Sequence, residues 1–126
     1  MFEDCTAKKV FDFFYEISAI PRGSGNETGI ASYLVNFAIE RSLFYVRDKY
    51  NNVFIRKPAS LGCRSKEPIL LQGHIDMVCV SVPNLKHDFL NQPLDLTVNG
   101  DVLSAKGTTL GADDGVAVAI MLALLD

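Results

Sequence analysis

The chain has no apolar run approaching the ~18 residues that a membrane-spanning helix needs. It has no cluster of lysine and arginine, and its formal net charge is -3, so nothing in its charge speaks for a nucleic-acid partner. Cysteine is scarce. Cys5, Cys63 and Cys79 are an odd number without C-x-x-C spacing, which argues against a disulfide framework or a zinc knuckle and fits a reduced, cytoplasmic setting. The opening MFEDCTAKK lacks a basic segment followed by an apolar one, so no signal peptide is expected. Repeats and low-complexity tracts are missing. So are G-x-S-x-G, G-x-x-x-x-G-K-[ST] and G-x-G-x-x-G, which leaves nucleophile-elbow, P-loop and dinucleotide chemistry without an anchor.

What is present is ordinary globular material. Hydrophobic residues make up 48% of the 126 and charged residues 21%, enough for one domain with a core. In KKVFDFFYEISAI, Val10, Phe13, Phe14, Ile17 and Ile20 recur at three- and four-residue spacing and predict an amphipathic helix that Pro21 ends. Ser24 and Glu27 in SGNE match a capping box for a second helix carrying Ile30, Leu34 and Phe37 on one face. SLFYVRD and NVFIRKP read as a hairpin, and LDLTVNGDVLSAKG as two strands around Asn99-Gly100. PILLQG, residues 68–73, reads as a strand covered on both faces. SVPNLKHDFLNQP is a long loop, and TTLGADDG leads into a last helix. That helix, GVAVAIMLALLD, is apolar nearly all round and carries no stop signal, so the chain is expected to be an N-terminal piece of something longer. The predicted class is α/β, a layered mixed sheet flanked by helices.

Two short patterns could carry chemistry. His74 and Asp76 in LLQGHIDMV lie two apart, so a strand would place them on one side. An imidazole is a common metal ligand, and a neighbouring carboxylate can fix its tautomer. The plain alternative is a strand end with a surface histidine and aspartate. In GADDG, Asp113 and Asp114 stand between glycines before a helix, where carboxylates serve as caps or complement the helix dipole. The functional alternative is a carboxylate bridging two metal ions. His87 reads as a loop anchor, Arg22 as a surface or salt-bridged turn residue, Ser24 as a cap and Cys79 as a buried apolar thiol.

Taken together, LLQGHIDMV and GTTLGADDGVAVA resemble the di-zinc aminoacylase/carboxypeptidase superfamily of metallopeptidases. FYEISAIPRGSGNE, LQGHIDMVC, HDF and LSAKGTTLGADDGVAVA are more closely similar to the aminoacyl-histidine (Xaa-His, carnosine-type) dipeptidases, from about residue 8 to residue 126. The resemblance implies the N-terminal part of a zinc-peptidase-like catalytic domain over residues 1–126. His74 and Asp113 would be metal ligands, Asp113 bridging two divalent ions, with zinc preferred and cobalt or manganese allowed. Asp76 would be catalytic and would hold His74, and the Asp113–Asp114 peptide would be cis. It further implies a bacterial, cytoplasmic hydrolase of small Xaa-His dipeptides, with a homodimeric parent enzyme and no nucleic-acid or membrane partner. The general-base glutamate, two further ligands and a lid domain would lie beyond residue 126, leaving the fragment inactive by itself. Asp114 departs from the asparagine often found there in this subgroup. An aminoacylase or carboxypeptidase of the same superfamily, or a non-catalytic module retaining the fold, remain the alternatives.

Overall fold

The computed structural model describes residues 6–126; Cys5 and the opening segment in which no signal peptide is expected lie outside them. Three helices make the core. Helix α1 spans Lys8–Ser18, α2 spans Thr28–Glu40 and α3 spans Ala112–Leu125. The spacing read from α1 is the spacing it buries: Phe13, Phe14 and Ile17 are buried, with Val10 and Ile20 packed partly against them. Its last turn closes on itself, the Ser18 hydroxyl donating to the Phe14 carbonyl at 2.7 Å. Helix α2 turns Ile30, Ala31, Leu34, Phe37 and Ala38 inward, and α3 contributes Val118, Ala119 and Leu122. Burial of this set is the main stabilising term, at roughly 25 cal/mol per Å² of apolar area removed from water. Phe13 and Phe37 meet edge-to-face with centroids 5.6 Å apart. At the far end of α3, the Asp126 carboxylate receives Lys9 at 2.5 Å and Arg41 at 2.6 Å, tying the three helices together.

Two hairpins flank the helices. Strands β1 (Phe44–Arg47) and β2 (Val53–Arg56) pair antiparallel, as do β3 (Leu96–Asn99) and β4 (Val102–Ala105). Asn99 pairs with Val102, so the tight turn consists of Gly100 and Asp101, one residue later than the Asn99-Gly100 pattern suggests. Gly100 has φ 59°, the left-handed conformation such a turn requires. The class is α/β, as expected. Its sheets among the described residues are two separate antiparallel pairs, and parallel pairing is limited to one bridge between Gly23 and Met77.

Residues 68–73 differ from their expected state. They join no ladder, and Ile69, Leu70 and Leu71 are 87%, 76% and 51% exposed. A run apolar on both faces needs a neighbouring strand and a covering layer, and the described residues supply neither. Helix α3 is likewise covered on one side only: Val116, Ile120 and Leu124 remain exposed. No helix among the described residues is long and apolar enough to cross a membrane.

Candidate functional site

Three segments converge: the turn after α1, the stretch 73–77, and the start of α3. The first two are joined by backbone, the Met77 amide donating to the Arg22 carbonyl at 2.9 Å. The third begins at Gly111, whose φ of 68° reverses the chain into α3. Asp113 and Asp114 interrupt the helical angles of its first turn, at φ/ψ -89°/106° and -112°/27°. The peptide between them is cis, as the resemblance implied.

This path brings His74 and Asp113 together. His74 Nε2 lies 3.1 Å from Asp113 Oδ1, and His74 Nδ1 lies 3.1 Å from both Asp76 Oδ1 and the Asp76 carbonyl. The imidazole is therefore held between two carboxylates. Its side chain is 52% exposed and that of Asp113 is 97% exposed, so the Nε2 side of the ring faces solvent. Asp113, followed by Asp76, raises the His74 imidazole above its ordinary pKa by favouring the imidazolium. Asp76 is held below the usual carboxylate range, first by the Ser24 hydroxyl, which donates to Oδ2 at 2.5 Å, and then by His74.

Two sequence readings are corrected here. Ser24 does not cap α2. Helix α2 has no side-chain cap, Glu27 Oε1 accepts from the Gly25 amide at 2.6 Å, and the Ser24 hydroxyl is committed to Asp76. A cap would have its oxygen accept from a local amide; here the hydroxyl instead donates to a carboxylate 52 residues away, a charge-assisted bond. Arg22 is not at the surface: it is 2% exposed, and its guanidinium donates to the carbonyls of Ile75 (3.2 Å), Asp76 (3.4 Å) and Gly111 (2.7 Å). Burial pulls its pKa down, and Asp76 opposes that.

The other candidates fall elsewhere. Asp114 lies over Gly73, where a Cβ would meet its Oδ2 at 2.6 Å, and no side-chain cap closes α3. Gly73 is thus the residue that gives the second acid its room. His87 packs edge-on against Phe89 with centroids 4.6 Å apart, the loop-anchor role read from sequence. Cys79 is half-buried against Gly23, and that burial raises its thiol pKa.

The donor set fits part of a metal centre. Zinc–nitrogen and zinc–oxygen bonds of ~2.0–2.2 Å place two ligands of one ion ~3–3.5 Å apart. The 3.1 Å between His74 Nε2 and Asp113 Oδ1 lies in that range. Among the described residues no group of three or more His, Cys, Asp and Glu side chains could hold an ion unaided.

No family model matches the chain. Over 116 residues it is 40% identical to the cytosol non-specific dipeptidase of Escherichia coli K12, a match covering 92% of this chain and 24% of that protein. Its fold matches the crystal structure of aminoacylhistidine dipeptidase from Vibrio alginolyticus with a TM-score of 0.94 and 39% identity, covering 99% of this chain and 26% of that one. It therefore spans about a quarter of the length of these relatives. The chain is homologous to these two dipeptidases, over nearly all of its own length and about a quarter of theirs.

Proposed function

We propose that this chain carries one wall of the metal centre of a dipeptidase that hydrolyses Xaa-His and related dipeptides in the cytosol. The observation that carries this reading is the row Asp76–His74–Asp113, with both contacts at 3.1 Å. The E. coli relative is named a cytosolic dipeptidase and the Vibrio relative an aminoacylhistidine dipeptidase, which supports the substrate class and the compartment. Zinc is the proposed ion, since imidazole and carboxylate together suit it.

Each residue has a distinct task. Asp76 accepts from Nδ1–H, which fixes the tautomer whose Nε2 lone pair points to the solvent side. His74 would offer that lone pair to a bound ion. Asp113 has two carboxylate oxygens, so it can serve two ions at once. Ser24 keeps Asp76 ionised and oriented through its bond to Oδ2. When bound, divalent ions supply Lewis-acid polarisation of the scissile carbonyl and a nucleophile at neutral pH. A tetrahedral site takes four ligands, and the described residues bring two donors together, so tight binding and turnover need further groups.

Zinc titration of the chain tests the proposal, read by NMR at the two histidines and repeated with His74→Ala. The reading predicts weak, saturable binding that perturbs His74 and spares His87, with no dipeptide hydrolysis by the chain alone. Binding that survives His74→Ala, or turnover of a dipeptide by the chain, contradicts it.

A further inference from the structure

We propose that Arg22 is the positioning residue of this site, clamping the segment that bears His74 and Asp76 to the loop that bears Asp113. The metal chemistry it would serve rests on the reading above, whereas the clamp itself rests on geometry.

A buried guanidinium needs a reason, because removing a cation from water is costly unless its donors are satisfied. Arg22 is 2% exposed, and among the described residues no carboxylate accepts a hydrogen bond from it. Its partners are three backbone carbonyls from two segments, all reached by Nη1 and Nη2, while the buried Nε finds no partner among the described residues. Nη1 takes Ile75 and Asp76, which follow His74 directly, and Nη2 takes Gly111, two residues before Asp113. One planar fork thus reads both halves of the site, and the Arg22 carbonyl adds its bond from the Met77 amide.

The surroundings are shaped to this fork. A Cβ at Gly111 would meet Nη2 at 2.7 Å, and one at Gly115 would meet it at 2.6 Å, so α3 lies directly on the guanidinium. Phe14 crowds the same place, 3.0 Å from where a Gly115 Cβ would lie. A lysine has one point-like head and cannot occupy both directions at once. Arg22 touches neither His74 nor Asp113; it acts on them through the carbonyls that set their backbones.

The test uses the whole 126-residue chain. The first readout is the nuclear Overhauser contact between the His74 ring and the Asp113 methylene in metal-free protein. The second is zinc affinity measured at His74. Wild type shows the contact. Arg22→Met loses it while the helical circular dichroism persists, and zinc binding weakens about tenfold or more. Arg22→Lys restores the contact in part. If Arg22→Met fails to fold, Gly115→Ala decides: it keeps the arginine but drives a Cβ against Nη2, and the contact must again be lost. A wild-type-strength contact in Arg22→Met or Gly115→Ala overturns the proposal, as does its absence in wild type. If wild type shows the contact but zinc never reaches His74, the metal reading fails and the contact series still decides the clamp.

Discussion

Phe37→Leu removes two ring-specific interactions while nearly conserving apolar bulk. Phe37 is 3% exposed, meets Phe13 edge-to-face at 5.6 Å, and carries the Arg41 guanidinium 3.8 Å above its ring centroid. An edge-to-face pair contributes about 0.5–1.5 kcal/mol beyond burial. The cation–π contact adds about 0.5–1 kcal/mol, toward the lower figure because the Arg41 side chain is still 28% exposed. Allowing for imperfect repacking of leucine, the expected loss is ~1–3 kcal/mol. For a domain of this size that lowers the thermal midpoint by roughly 5–15 °C. Urea unfolding followed by helical circular dichroism measures the loss. A cycle with Arg41→Met isolates the cation–π share, expected at about 0.5–1 kcal/mol of coupling. A loss of less than ~0.5 kcal/mol, or coupling indistinguishable from zero, would refute this account of how α1 and α2 lock.

Two further outcomes follow from the same structure. The exposed apolar run at Ile69, Leu70 and Leu71 makes the isolated chain self-associate as concentration rises. Leu71→Lys should reduce that in sedimentation velocity, and unchanged association would show that another surface is responsible. Lys9 and Arg41 hold the Asp126 carboxylate below its ordinary value, so its contribution is present above the unfolded-state value of 3.8 and is lost as pH falls through the lower folded-state value. Amide protection factors in the last turn of α3, taken relative to the intrinsic exchange rate at each pH, should therefore fall on acidification in that window, and an Asp126→Asn chain should show the lower protection already at neutral pH.

How much of this the sequence reveals depends on the distance over which each residue is satisfied. The faces of α1 and α2 are legible because Phe13, Ile17, Leu34 and Phe37 obey a period set by the helix itself. The hairpins are legible because β-branched runs and a glycine turn are local. Arg22 and Ser24 are misread for the opposite reason. Their partners lie 53–89 and 52 residues away, and locally they look like turn and cap residues. A buried arginine flanked by glycines that close on it leaves no periodic signature. The strand reading of residues 68–73 captured their apolar character and missed their exposure, because a run of this kind takes its structure from neighbours that the described residues do not include. The pairing of His74 with Asp113, 39 residues apart, was accessible only by joining two motifs that are each ambiguous alone.

The central claim is that His74 and Asp113 face one metal ion. It is tested most directly by crystals of the chain grown with zinc and measured on both sides of the zinc absorption edge. The account predicts an anomalous peak in contact with His74 Nε2 and an Asp113 carboxylate oxygen. Zinc peaks only at other side chains, with His74 still paired directly to Asp113, would contradict it.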